Sequence, residues 1–353
     1  MIEKDVRCPK CHEIVTFSGE PGERLTVACP KCGAQGKVTF KKSTIDQDYA
    51  IEVSHLKKVY GNLAAVDDIS FSVPKGEIFA FLGPNGAGKT TTVEIIESIR
   101  EPTMGTIKIF GKDITSSFNE VKEKIGILPQ EFQSFEKLTV KETLVYCSKL
   151  YKKRADIDGI IDAMDLKDNQ NKLYKNLSGG LKQRVGVAIS LVNDPEIVFL
   201  DEPSTGLDPK ARREVWEVIA NLRSKGKTVF LTTHYMEEAE YLADHIAIIH
   251  KGKIIAEGSL EEVINRYGKG SLLHIKGCKT GNTVELLREN GFNATSKENG
   301  NIAVTIEHKD RLLEVLSHLR HKCVDYDSID IRRPNLEEIF LQLTGAKLSE
   351  AKA

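Results

Sequence analysis

The chain has 353 residues, enough for two or three domains. Hydrophobic residues make up 40% and charged residues 29%, and 50 basic side chains nearly balance 51 acidic ones, for a net charge of −1. That is the make-up of a globular protein and not of one built mainly to coat nucleic acid. No apolar run approaches the roughly 18 residues needed to span a bilayer. The opening Met1-Ile2-Glu3-Lys4-Asp5-Val6-Arg7 is too polar for a signal peptide, so a cytoplasmic location is expected.

Four of the seven cysteines form two C-x-x-C pairs, Cys8/Cys11 and Cys29/Cys32, separated by 17 residues. This spacing fits the zinc pattern C-x₂-C-x₁₅₋₂₀-C-x₂-C. Each pair sits in a Cys-Pro-Lys-Cys turn, so two thiolates can converge from each side on a tetrahedral ion. Between the pairs, Glu13–Phe17 and Arg24–Ala28 are predicted to form a hairpin around Gly19-Glu20-Pro21-Gly22. Residues 6–40 resemble a zinc ribbon. Iron accepts the same four thiolates and stays open as a reading, whereas two disulfides suit a cytosolic chain poorly. With so few apolar residues, this module is expected to depend on its metal for folding.

Downstream, Gly83-Pro84-Asn85-Gly86-Ala87-Gly88-Lys89-Thr90 fits G-x-x-x-x-G-K-[ST], the loop that wraps nucleoside triphosphate phosphates. Glu77–Leu82 before it reads as a buried strand and Thr90–Ile96 after it as a helix, the context the motif requires. Gly83 to Thr91 are therefore expected to cradle phosphate, with backbone N–H groups and a positive helix end facing the anion. Lys89 would bridge the β- and γ-phosphates, and the Thr90 hydroxyl would ligate Mg²⁺.

Between Gln130 and Ser178 the sequence predicts a mainly helical insert, which includes Lys141–Cys147. Ser178, in Leu177-Ser178-Gly179-Gly180-Leu181-Lys182-Gln183, suits an N-cap ahead of a helical run from Arg184 to Val192. With Gly179 and Gly180 it offers a second anion site at a helix end. Pro195–Glu202 reads as an apolar strand, buried on both faces, that ends in two carboxylates. Ligands bind at the carboxyl ends of strands in open α/β sheets. There Asp201 can hold Mg²⁺ through water, and Glu202 can orient or deprotonate the attacking water.

The phosphate loop, the Leu177–Gln183 segment and the Asp201-Glu202 pair, in this order, make the chain resemble the ATP-binding-cassette ATPases from about Ile51 to Tyr267. The resemblance implies further roles. Tyr60 matches the aromatic that stacks on adenine, and Gln130 the glutamine that senses Mg²⁺ and the γ-phosphate. Asp208, before Pro209, matches the loop that signals across the dimer, and His234 the switch histidine at the γ-phosphate. In this family the signature of one subunit closes over ATP held by the phosphate loop of another, so Ser178, Gly179 and Gly180 would act on the opposite copy. A head-to-tail dimer with itself or a paralogue is expected.

After Gly268-Lys269-Gly270 the pattern becomes βαββαβ: a strand at Leu272–Ile275, a helix at Thr283–Glu289 and strands near Ala294 and at Ile302–Ile306. A helix at Arg311–Leu319 and a strand within Val324–Ile331 complete it. That order suggests a small ferredoxin-like unit, packed on the core or on its dimer mate. The ending Arg333–Gly345 looks like the last helix of export-type cassette ATPases (drug, antibiotic and haem exporters), whose permease is a separate polypeptide. Cys147, Cys278 and Cys323 lack partners at metal spacing and are expected to be buried small hydrophobes.

The expected fold is therefore α/β: a zinc ribbon (1–42), a linker (43–50), a P-loop cassette (51–268) with a helical insert (131–176), and an α+β domain (269–346). The expected function is an ATPase, using ATP, Mg²⁺ and Zn²⁺, that powers export through a separate membrane permease. It would sit in the cytoplasm, peripheral on the inner face of the cell membrane. The alternative is a soluble cassette ATPase working on ribosomes or nucleic acid through the zinc ribbon.

Overall fold

The computed structural model describes residues 2–7, 11, 14–19, 24–39, 49–268, 270–278, 282–296, 301–306 and 309–345. Two compact units result, Met1–Tyr49 and Ala50–Ala353.

In the N-terminal unit, strand Ile2–Arg7 pairs antiparallel with Ile14–Gly19, and Arg24–Ala28 pairs antiparallel with Gln35–Thr39. The expected hairpin between Glu13–Phe17 and Arg24–Ala28 is therefore not formed. Each of those segments instead pairs across its own C-x-x-C turn, and the first pairing uses the polar opening of the chain. A strand needs only one apolar face, so the alternation of Ile2, Lys4 and Val6 with charged neighbours did not mark one clearly.

The second unit is built on a six-stranded sheet in the order Ile125–Leu128, Ile197–Asp201, Thr228–Thr233, Ile78–Leu82, His245–His250, Lys253–Ser259. The first five strands run parallel and the last antiparallel. Side chains alternate between two cores. Ile78, Ala80, Leu82, Val198, Leu200, Val229 and Leu231 join the helical side. Phe79, Phe81, Ile197, Phe199 and Phe230 face the other core, which they share with Phe71, Ile51, Val53 and Ile107. Burial on both faces is why these runs are almost wholly apolar. On the second side, Phe79 stacks on Phe71 and on Phe230, each at 5.5 Å between ring centroids. That side is closed by a four-stranded sheet ordered Leu63–Pro74, Tyr49–Tyr60, Met104–Ile109, Lys112–Asp113. Its second strand thus begins inside the expected linker 43–50.

The predicted insert contains helices Val140–Ser148 and Ile157–Ala163, the first closed by a capping box between Thr139 and Glu142. The signature helix runs from Gly179 to Ile189, earlier at both ends than the expected Arg184–Val192. It starts where Ser178 caps it, so the two glycines belong to its first turn.

The C-terminal segment contains, in order, Ser271–Lys276, helix Thr283–Glu289, Asn293–Ser296, Ile302–Ile306, helix Lys309–His321 and Ser328–Arg332. The strands pair antiparallel in the order Asn293–Ser296, Ile302–Ile306, Ser271–Lys276, Ser328–Arg332, with Asn293–Ser296 at one edge. The last strand starts four residues after the expected Val324, because Val324 turns inward to the local core instead. The closing helix Leu336–Thr344 leaves this small core and buries Leu336, Ile339 and Phe340 in the helical core of the cassette. Cys147 and Cys278 are half-buried and Cys323 is exposed, so the expectation of three buried thiols holds only in part for the first two and fails for Cys323.

Candidate functional site

Four neighbouring parallel strands end on one rim. Ile78–Leu82 runs into the phosphate loop, Ile197–Asp201 into Glu202, Thr228–Thr233 into His234 and Ile125–Leu128 toward Gln130. Polar groups gather there because the strand interiors are buried and only their carboxyl ends open to a crevice. A cavity of about 300 Å³ at this rim is lined by Asn85, Gly86, Gly88, Lys89, Thr90, Thr91, Gln130 and Glu202, with Ala65.

Lys89 opens helix Lys89–Ile96, and Gly88 caps it with φ 109°. A Cβ at Gly88 would lie 2.4 Å from the Ala65 carbonyl oxygen, so this turn needs glycine both for its backbone and for its space. Lys89 is only 4% exposed, and its Nζ donates to the carbonyls of Gly83 (2.8 Å) and Pro84 (3.2 Å). It also lies 3.3 Å from Glu202 Oε1. Burial lowers the Lys89 pKa, and the charges of Glu202 and Asp201 oppose that.

Glu202 is the hub. Its Oε2 meets His234 Nδ1 at 3.1 Å, accepts from Thr205 Oγ1 at 3.0 Å and receives a long contact from Gln130 Nε2 at 3.5 Å. Its backbone sits at φ 50°, a strained conformation for a residue with a Cβ. Burial pushes its pKa up, but the His234 hydrogen bond and the Lys89 charge outweigh that and bring it down to about 2. Asp201 behaves oppositely: burial raises its pKa, against the hydroxyls of Thr232 and Thr90 and the Lys89 charge. Thr232 Oγ1 donates to Asp201 and accepts from the Glu202 N–H at 3.0 Å. The sequence reading missed Thr232 and Thr205. The available signal was the appearance of hydroxyls just where an apolar strand meets the rim.

Other predicted residues lie away from this cavity. Tyr60 ends strand Tyr49–Tyr60, is 40% exposed, and carries Lys58 and Arg100 over its ring at 5.2 and 5.6 Å. Ser178 Oγ accepts from the Leu181 N–H at 3.4 Å, leaving the first turn of the signature helix near the surface. Asp208 caps helix Pro209–Ser224 by accepting from the Lys210 and Ala211 N–H groups at 3.0 and 3.1 Å. Neither Ser178, Gly179, Gly180 nor Asp208 lines the cavity around Lys89.

In the N-terminal unit, the thiol sulfurs of Cys11, Cys29 and Cys32 lie within 4.8 Å of one another. Cys11 and Cys29 are 3.6 Å apart, far beyond a disulfide of about 2.05 Å. The turn between Cys29 and Cys32 is closed by Gly33 N–H to the Cys29 carbonyl at 2.9 Å, with Gly33 at φ 70°. Cys8 lies outside the described residues.

Residues 66–205 match the family described as ABC transporter, and residues 258–344 match the C-terminal domain of DrrA1-3-like ATP-binding proteins. The chain is 35% identical over 306 residues to the daunorubicin resistance ATP-binding protein DrrA3 of Streptomyces coeruleorubidus, covering 84% of this chain and 96% of that protein. It is 32% identical over 346 residues to the Nod factor export ATP-binding protein I of Mesorhizobium japonicum, covering 93% and 96%. Among solved structures, a dimeric bacterial ABC transporter cassette superposes with a TM-score of 0.54 at 26% identity, covering 60% of this chain and 98% of that one.

Proposed function

The chain belongs to the ABC transporter family of ATP-binding proteins, and on that basis we propose that it powers an exporter whose membrane-spanning permease is a separate chain. It is an ATPase of that family. Among the described residues no helix is long and apolar enough to cross a membrane, which fits peripheral attachment to such a permease on the inner face of the membrane. The relatives are named for drug resistance and for Nod factor export, which supports export and gives no support to work on ribosomes or nucleic acid.

One observation carries the mechanism: the ends of four adjacent strands bring Lys89, Asp201, Glu202, His234 and Gln130 to one rim. We assign ATP to the cavity there, its phosphates wrapped by Gly83 to Thr91 and its adenine on Tyr60. Thr90, Asp201 and Gln130 have the oxygen donors that suit Mg²⁺, and the approach of the Thr90 hydroxyl to Asp201 fits a shared ion. Bound there, the ion would offset phosphate charge. Lys89 would leave Glu202 for the phosphates. Released from that ion pair, Glu202 becomes a better base and can order or deprotonate the attacking water, with His234 at the γ-phosphate.

Ser178, Gly179, Gly180 and Asp208 stand apart from their own chain's cavity, so a second copy or a paralogue, arranged head to tail, would complete each site. The dimeric relative supports that arrangement. We further propose that the C-terminal segment is a ferredoxin-like domain and the N-terminal unit a zinc ribbon. A tetrahedral four-thiolate zinc site has sulfurs about 3.8 Å apart, close to the 3.6 Å between Cys11 and Cys29. Cys8 is its fourth ligand on sequence spacing. Glu202→Gln, studied with ATP by size-exclusion and by turnover, tests the ATPase cycle: an ATP-held dimer that does not turn over supports it, and a permanent monomer refutes it.

A further inference from the structure

Glu238 sits on the short helix Met236–Leu242, immediately after His234, and is fully buried. The sequence Met236-Glu237-Glu238-Ala239-Glu240 gives no hint that one glutamate of the three points inward. Its Oε1 accepts from Trp216 Nε1 at 2.8 Å. Trp216 belongs to helix Pro209–Ser224, the helix that Asp208 caps. Burial raises the Glu238 pKa, and the hydroxyls of Thr233 and Ser204, the indole and the Arg212 charge oppose it. Thr233 directly precedes His234, and Ser204 lies two residues beyond Glu202. One carboxyl thus links the loops of His234 and Glu202 with the helix that Asp208 caps.

A second bridge runs alongside. The Arg212 guanidinium lies over the Tyr235 ring at 4.0 Å, and that ring is 4.1 Å from the His234 ring. Only the indole makes a well-formed hydrogen bond to Glu238. Its Oε2, Ser204 Oγ and Arg212 Nε are buried atoms without one. An under-satisfied buried carboxyl is costly where a leucine would pack.

We propose that Glu238 is a positioning residue for ATP hydrolysis, holding the loop of His234 in register with the loop that runs from Glu202 to Asp208. This rests on His234 and Glu202 being the hydrolytic pair. The test uses the full chain and compares Glu238→Ala, Glu238→Gln and Trp216→Phe for kcat, ATP affinity and melting temperature. Glu238→Ala should lose about tenfold in kcat while ATP affinity stays within about threefold. Glu238→Gln should recover most of the rate, because its amide oxygen still accepts from the indole. Unchanged kcat in folded Glu238→Ala overturns the proposal. So does a joint fall of rate, affinity and melting temperature that Gln does not rescue. Should Glu238→Ala not fold, Trp216→Phe decides, since it removes only the donor: a wild-type rate there is equally fatal. Loss of ATPase activity in the wild-type chain would instead remove the underlying functional reading.

Discussion

Lys89 Nζ lies 3.3 Å from Glu202 Oε1, so the cation of the phosphate loop and the carboxylate beyond the next-but-one strand neutralise each other. A carboxylate with a pKa near 2 is a poor base. On the proposed function, phosphate that draws Lys89 away would gain a cation and raise the basicity of Glu202, coupling nucleotide binding to activation of water through one ion pair.

This coupling separates two variants. Glu202→Gln should keep ATP binding, because Lys89 is released from its partner, while turnover falls by about 100-fold or more. Lys89→Ala should lose binding and turnover together. Equilibrium binding of a fluorescent ATP analogue, set beside steady-state phosphate release, separates the two; if Glu202→Gln bound ATP no better than Lys89→Ala, the coupling would be wrong.

Glu97, at the end of the helix that Lys89 opens, gives a pH signature of its own. It is buried, and desolvation, then the charges of Asp201 and Glu94, push its pKa up to about 8. Between the ordinary carboxyl value near 4.3 and about 8, the folded chain holds a proton that the unfolded chain has lost. Stability contributed by Glu97 is therefore full below that range and lost as pH rises through it, by on the order of a few kcal/mol. Glu202 works in the opposite sense, its contribution being lost as pH falls from the ordinary range toward about 2. In magnesium- and nucleotide-free buffer, the unfolding midpoint of Glu97→Gln should rise relative to that of the wild type as pH goes from 5.5 to 8.5. Parallel curves for the two proteins would rule this out.

The phosphate loop and the carboxylate pair were legible because the apolar runs Ile78–Leu82 and Ile197–Asp201 stop at Gly83 and at Asp201-Glu202. What escaped notice depends on which face of an element is buried. Glu238 looks like its neighbours Glu237 and Glu240 until Trp216 is packed against it. The N-terminal pairing escaped for another reason: Ile14–Gly19 has two possible partners at similar sequence distance, and strand periodicity cannot choose between them. The C-terminal element order βαββαβ was readable from hydrophobic periodicity, but the exposure of Cys323 was not. It occupies a φ of 48° at the end of helix Lys309–His321, where the chain turns outward.

The thiol cluster predicts a metal content. Purified full-length protein should carry about one equivalent of zinc, and cobalt exchanged into the site should show the visible bands of a tetrahedral thiolate complex. Cys29→Ser, which removes the buried ligand, should abolish both. A red protein with stoichiometric iron would replace zinc by the iron reading, and metal-free protein with an intact N-terminal unit would end the metal assignment.

The closing helix makes the strongest structural claim outside the rim. Phe340 is 0% exposed and meets the His250 ring edge-on at 5.7 Å, and Leu336 and Ile339 are equally buried beside it. The helix starts against helix Met236–Leu242, where the Leu336 N–H donates to Glu240 Oε1 at 2.7 Å. If those contacts belong to the cassette core, Phe340→Ala should cost about 3–5 kcal/mol, as deletion of a buried aromatic does. The loss should appear as a lower unfolding midpoint of the whole cassette, followed by intrinsic fluorescence of Trp216, the single tryptophan. A helix that merely decorated the surface would give a change below about 0.5 kcal/mol and leave the Trp216 transition where it was.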